Sequence, residues 1–171
     1  GLCHSDITMM EMPGEFGEAL GWAMPFTLGH EAAGWIAALG EGAAGVLPPG
    51  LGVGDAVALM SSNSCGACRF CRAGRDSLCE SNMVGRGFGR DGGLAEYVVA
   101  GAGEVLAIGD LDPVTAGTLT DAGATSFHAV SRVIRHLGGL GVERPSVLVI
   151  GAGGLGGFGV QIAAAMGAGR I

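Results

Sequence analysis

Four of the five cysteines fall within residues 65–79, at Cys65, Cys68, Cys71 and Cys79. The spacing C-x2-C-x2-C-x7-C lets the thiolates wrap one tetrahedral ion, with Zn–S bonds near ~2.3 Å. Four sulfur ligands fill the coordination sphere, so the site they predict is structural rather than catalytic. Four thiolates around Zn²⁺ leave a formal charge of about −2, and Arg69, Arg72 and Arg75 in the same stretch can offset it. An iron–sulfur cluster fits less well. Its run is C-x2-C-x2-C-x3-C-P, whereas here the last gap is seven and Cys79 precedes Glu80. Four unliganded thiols at this density are the bland alternative.

A second motif lies near the C-terminus. In "VLVIGAGGLGGFG", Gly151, Gly153 and Gly156 form G-x-G-x-x-G, followed by an alanine-rich stretch. The motif carries meaning only between a strand and a helix. The apolar run 146–151 predicts such a strand, buried on both faces, and "GGLGGFGVQIAAAMGAG" (153–169) predicts a loop opening into an alanine-rich helix that ends in glycine. The first glycine then makes the turn, the second admits a pyrophosphate, and the third lets helix pack on strand. Gly154 and Leu155 complete the expected dinucleotide cradle. A glycine-rich turn without a ligand is the alternative. The acidic residue that reads the ribose is expected ~20 residues on, past Ile171.

These motifs need elements to hold them. Residues 1–107 alternate short apolar runs with Gly, Pro and Asp. "GWIAALG", "DAVALM", "LAEYVVA" and "EVLAIG" predict short strands of an irregular β domain. Asp112-Pro113 predicts a helix start, and residues 114–137 carry apolar positions at helical spacing without an internal Pro. The final "RI" predicts the beginning of another strand. A β domain thus leads into one strand–turn–helix unit. One parallel strand cannot make a sheet, so the chain is expected to be part of a longer protein and inactive by itself.

Composition excludes some functions. The chain of 171 residues carries a net charge of −7, and all nine basic residues are arginine. An acidic chain without a basic tail is a poor ligand for nucleic acid, whose binding rests on phosphate neutralisation. No apolar run approaches the ~20 residues of a membrane span. An odd number of cysteines, four of them clustered, does not fit a dispersed disulfide framework and favours a reducing, cytoplasmic compartment.

Taken together, "GLCHSD" (1–6), "TLGHEAAG" (27–34), "VGDAVAL" (53–59), the cysteine loop, "GGLAEYVV" (92–99), "TDAGATSFHAV" (120–130) and "VLVIGAGGLG" (147–156) make a combination that resembles the zinc-dependent medium-chain alcohol dehydrogenases. The segments run in that family's order. "LTDAG" is most similar to its bacterial secondary-alcohol branch, which has Asp as a catalytic-zinc ligand. The resemblance implies an α/β chain with a β domain: a partial GroES-like β-barrel over 1–110 without its first strands, then the first β-α unit of a Rossmann domain over 111–171. It implies a second, catalytic zinc on Cys3, His30 and Asp121, with Glu31 as an alternate ligand, beside structural zinc on Cys65, Cys68, Cys71 and Cys79. It further implies that Ser5 contacts the zinc-bound alcohol oxygen and starts the proton path. His4 would sit near the cofactor phosphates, Thr125 would touch the nicotinamide, and Asp6 would orient His30 through a hydrogen bond. Thr8 stands where some members carry a relay histidine, so a relay would run through the cofactor ribose, His4 or water.

The expected activity is hydride transfer between a zinc-bound alcohol or alkoxide and NAD or NADP, with NAD favoured, giving aldehyde or ketone. Polyol or formaldehyde-adduct oxidation is the alternative within enzymes. A zinc-binding β domain without activity is the alternative outside them. The expected partner is a small alcohol, aldehyde or ketone, in a homo-oligomer of the full-length protein. Ser61, Ser62 and Asn63, small and polar, are expected to line a pocket with room for a bulky substrate.

Overall fold

The structure, a computed structural model, describes residues 1–62, 64–81 and 83–171. The chain divides into two compact units, Gly1–Thr120 and Asp121–Ile171.

The first unit is built on a three-stranded antiparallel sheet, β1 (Ala32–Trp35), β2 (Ala56–Leu59) and β5 (Val105–Ala107), with β2 in the centre. Ala32 pairs with Leu59 and Trp35 with Ala56. Val57 pairs with Ala107 and Leu59 with Val105. The central strand is the apolar heart of this unit, with Val57, Ala58 and Leu59 all buried. Ala116 of the one-turn helix α4 (Pro113–Ala116) is buried too, and α4 packs on β1 and β2. Asp112 caps α4 as its sequence position predicts, accepting from Val114 N at 3.0 Å; Pro113 fills the first helical position, where no N–H is needed.

Two further helices, α1 (His4–Glu11) and α2 (Gly14–Ala19), precede the sheet. Met12 is extended, with ψ 133°, as a residue before proline is biased to be, and Pro13 separates the two helices. A tight turn carries the short parallel pair β3 (Gly85–Arg86) and β4 (Gly89–Arg90).

In the second unit, α5 (Ala122–Gly139) packs against α6 (Gly154–Ala165). Together with residues 146–150 they line an apolar groove that includes Val130, Ile134, Val147, Val149 and Leu155. No helix is long and apolar enough to cross a membrane among the described residues.

Several expected elements differ. Among the described residues the sheet is not a closed barrel, and residues 94–100 form no strand; Tyr97 and Val99 lie exposed. Residues 146–151 were expected to form a strand buried on both faces. They form only one parallel bridge, Ser146 to Arg170, supported by Val147 N donating to Arg170 O at 2.8 Å. Leu148 and Ile150 are 83% and 90% exposed. A β-run gains its ladder and its second apolar face from neighbours, and among the described residues its bridging neighbour is Arg170. The helix expected over 114–137 breaks at a 3-10 turn, Gly117–Thr120, before Asp121. Gly117 lies against the Glu31 backbone, where a Cβ would sit 2.8 Å from the Glu31 carbonyl oxygen. That close packing, with two β-branched threonines following, overrides helical continuation.

Candidate metal centres

The cysteine loop folds on its own hydrogen bonds. Cys68 caps the one-turn helix α3 (Arg69–Arg72), and a 3-10 turn, Asp76–Leu78, returns the chain to Cys79. Backbone N–H groups point at sulfur: Cys68 N to Cys65 Sγ at 3.3 Å, Cys65 N to Cys79 Sγ at 3.3 Å, and Ser81 N to Cys79 Sγ at 3.4 Å. The Sγ atoms of Cys68 and Cys71 lie 3.5 Å apart and those of Cys65 and Cys71 4.0 Å. Sulfur atoms at tetrahedral corners ~2.3 Å from zinc are ~3.8 Å apart, so these separations fit an ion and are too long for a disulfide. All four donors lie within 4.8 Å of one another.

The loop prepares thiolates unevenly. Backbone donation from Cys71 holds Cys68 down at about 6. Donation from Ala67 and Cys68 lowers Cys65. Loss of solvation, then the neighbouring Cys68 thiol, pushes Cys71 up to about 12. One thiolate is thus ready, and a bound cation would draw the remaining protons off. Arg69 Nε pairs with Glu80 Oε1 at 2.9 Å, and the guanidinium of Arg69 lies 4.7 Å from the centroid of Phe70.

The second candidate is assembled from separate segments. Cys3 is the N-cap of α1, and Asp6 is the third residue of that helix. The Asp6 carboxylate turns back to accept from Cys3 N at 2.8 Å, half of a capping box. It is 1% exposed, and its other oxygen accepts from Gly29 N at 3.2 Å and lies 3.5 Å from His30 Nδ1. One buried carboxylate therefore ties the Cys3 turn to the Gly29–His30 turn.

Residues 27–30 are themselves clasped by 91–94. Thr27 N donates to Asp91 Oδ1 at 2.8 Å, and Gly92, Gly93 and Leu94 N donate to the carbonyls of Thr27, Gly29 and Leu28. Gly29 has φ +98°, and a Cβ there would come 2.9 Å from Leu94 N, so glycine is required before His30. The Thr27 N–H keeps the Asp91 carboxyl below its usual range.

His30 and Glu31 are buried at the entrance to β1. Asp121 is the N-cap of α5, where Thr125 N donates to its carbonyl at 2.8 Å. Within the first unit the donor atoms of Cys3 and His30 lie within 4.8 Å of each other; Asp121 opens the second unit. The set fits a zinc ion chemically: thiolate, imidazole and carboxylate are all accepted donors. Asp6 Oδ1 is 3.5 Å from His30 Nδ1, on the side where a metal-bound histidine has its usual second contact, but the hydrogen bond expected between them is not made.

Other predicted residues lie as follows. His4 and Ser5 are exposed on the first turn of α1, and Thr8 Oγ1 donates to the His4 carbonyl at 3.3 Å. Thr125 is exposed on α5, with its hydroxyl 3.4 Å from Asp121 Oδ1. Gly151 has φ +95°, Gly153 is the N-cap of α6, and the helix runs from Gly154 and Leu155 onward. A Cβ on Gly156 would run into the Gly151 carbonyl, while Gly153 has open space. The turn thus has a tight glycine and an open one where a pyrophosphate cradle needs them. Ser61 accepts from Arg86 N at 2.9 Å through its carbonyl; Asn63, expected to line the same pocket, lies outside the described residues.

Sequence reasoning missed a charged cluster. Arg86 is 1% exposed. Its guanidinium donates to Glu104 Oε2 at 2.6 Å and to the Val99 carbonyl at 3.0 Å. Arg90 donates to Glu104 Oε1 at 2.5 Å. Burial alone would raise the Glu104 carboxyl, but the hydrogen bond from Arg90, the Gly101 N–H and both arginine charges bring it below its usual range. The signal was "GRGFGR", two arginines in a glycine-rich apolar stretch.

The sequence profile described as "Alcohol dehydrogenase GroES-like domain" matches residues 1–110. The chain belongs to this alcohol dehydrogenase family. It is 37% identical to an NAD-dependent alcohol dehydrogenase of Saccharolobus solfataricus, with 97% of this chain and 46% of that protein covered. It is 36% identical to an NAD-dependent alcohol dehydrogenase of Sulfurisphaera tokodaii, with the same coverage. Its fold is similar to the crystal structure of the alcohol dehydrogenase of Aeropyrum pernix, with TM-score 0.78, 34% identity, and 99% of this chain and 47% of that one covered. The chain therefore spans about half the length of the alcohol dehydrogenase relatives it matches.

Proposed function

We propose that the protein carries the zinc sites and the first cofactor-binding turn of an NAD(P)-linked, zinc-dependent alcohol dehydrogenase. The observation that carries this reading is the buried Asp6 carboxylate, which joins the Cys3 turn to His30 and so turns two dispersed residues into one candidate centre. Relatives named NAD-dependent alcohol dehydrogenases support it and favour NAD over NADP.

Cys3, His30 and Asp121 would hold the catalytic zinc, with Glu31 as an alternate donor; Cys65, Cys68, Cys71 and Cys79 would hold the structural one. Zinc at the first site supplies a Lewis acid for an alcohol oxygen, while the nicotinamide accepts hydride. Cys3 and Asp121 bring negative charge to the ion, and Asp6 would keep the His30 ring turned to offer Nε2. Ser5, exposed one helical position after His4, would take the substrate hydroxyl proton and release it toward solvent through His4 or water. Thr8 donates to a helix carbonyl, which supports a path that bypasses it. Gly151, Gly153 and Gly156, with Gly154 and Leu155 opening α6, would receive the pyrophosphate within a Rossmann domain occupying 111–171 and onward, after a catalytic domain over 1–110. A cytoplasmic homo-oligomer acting on a small alcohol, aldehyde or ketone completes the proposal.

The test is NAD(P)-linked alcohol oxidation by the full-length protein, comparing Asp121→Ala with the parent. The reading expects turnover in the parent and a loss of about 10²-fold or more in the variant, the scale on which polarisation of a reacting oxygen contributes. Full activity in Asp121→Ala would remove Asp121 from the mechanism.

A further inference from the structure

A buried serine ties the two helices of the second unit together beside the glycine turn. Ser126 of α5 is 6% exposed, and its hydroxyl donates to the Leu155 carbonyl, in the first turn of α6, at 2.8 Å. A serine within a helix ordinarily bonds a carbonyl of its own preceding turn. Ser131, buried on the same helix, does so, with its Oγ 3.3 Å from the His128 carbonyl. Ser126 reaches across 29 residues of sequence instead.

The segment it grips is a weak helix start. Gly154, Gly156, Gly157 and Gly159 all fall in the first half of α6, and glycine is the poorest helix former after proline. The N-cap is Gly153, which has no side chain to cap the turn. The two helices meet through small residues: α5 buries Gly123 and Ser126, and α6 buries Gly159 and Ala163. The first helical bond of the turn runs from Gly157 N to Gly153 O at 2.8 Å. Gly156 N–H lies just before it, among the groups that a helix start leaves for a ligand. That N–H and the Leu155 carbonyl belong to one rigid peptide plane and point in opposite directions. A donor held on the carbonyl therefore sets the aim of the N–H.

We infer that Ser126 is a positioning residue for the dinucleotide turn, where its hydrogen bond to Leu155 fixes the peptide plane that carries the Gly156 N–H. This rests on the proposed cofactor reading, and the test separates the two. In the full-length protein Ser126→Ala is expected to bind NADH about 5- to 10-fold more weakly by fluorescence titration, the scale of one hydrogen bond. KM for NAD should rise by the same factor, with kcat at saturating NAD within about twofold of the parent. Ser126→Thr keeps the hydroxyl and should bind NADH within about twofold of the parent; a role in packing alone would make the larger threonine at least as harmful as alanine. The ligand-free protein supplies the second readout. Amide exchange at Gly157, Phe158, Gly159 and Val160 is expected to be about 5- to 10-fold faster in Ser126→Ala, unchanged in Ser126→Thr, and unaltered in the last turn of α6. A parent that binds no NADH refutes the cofactor reading, and the exchange rates still decide whether Ser126 holds the turn. Unchanged NADH affinity in Ser126→Ala, equal weakening in Ser126→Thr, or the same exchange in all three proteins overturns the inference.

Discussion

In the cysteine loop every donor comes from residues 65–79, and the bonds that shape it stay inside that stretch or just after it. Cys3, His30 and Asp121 come from three distant places, and the Asp6 contacts that join the first two cross 23 residues of sequence. The loop is mostly exposed, with only Cys79 buried, whereas Asp6 and His30 are among the most buried polar residues. A local site is built by its own stretch of chain. A dispersed site is made by the fold and fails with it.

Changes that strike each region separately sharpen this contrast. The largest effect is expected from Cys68→Ser. Structural zinc binding is worth on the order of 10 kcal/mol, so loss of the thiolate held lowest should abolish metal at the loop. Metal analysis should then find the Cys3 site still loaded; loss of both ions together would break the contrast. Asp6→Ala comes next. It leaves Cys3 N and Gly29 N without their carboxylate acceptor, and hydrogen bonds to a charged group contribute about 1.5–3 kcal/mol each. Urea unfolding should show a loss of about 3 kcal/mol, with the metal of the cysteine loop retained.

Glu104→Gln is expected to cost about 2 kcal/mol, because it weakens two charge-assisted bonds to Arg86 and Arg90. Its signature is pH dependence. The folded-state carboxyl is held low, so its stabilisation is complete above the unfolded value of about 4.3 and is lost as pH falls through the folded value. Acid titration of stability should therefore show a shallower acid limb in Glu104→Gln than in the parent. The smallest effect belongs to Arg69→Ala. Arg69 is 77% exposed in its pair with Glu80, and such pairs contribute about 0.2–1 kcal/mol, so its unfolding midpoint should barely move.

The same contrast explains what could be read from sequence. The spacing of Cys65, Cys68, Cys71 and Cys79 is the site, because the chain between them is too short to separate them. The helix start at Asp112-Pro113 and the glycine turn at Gly151–Gly156 were legible for the same reason: their physics is local. Cys3, His30 and Asp121 have no such spacing and were linked only through family resemblance. The Arg86–Glu104–Arg90 cluster escaped because ion pairing across 14–18 residues leaves no periodic trace. The run 146–151 misled for the opposite reason. Its apolar pattern calls for neighbouring strands, yet its ladder partner in this chain is the single bridge to Arg170.

The most direct test of two independently built metal centres is the zinc content of the purified full-length protein, parent against Cys3→Ser. The account predicts two ions per chain in the parent and one in the variant, the survivor released only when the cysteine loop is also mutated. One ion per chain in the parent, or an unchanged count in Cys3→Ser, would contradict it.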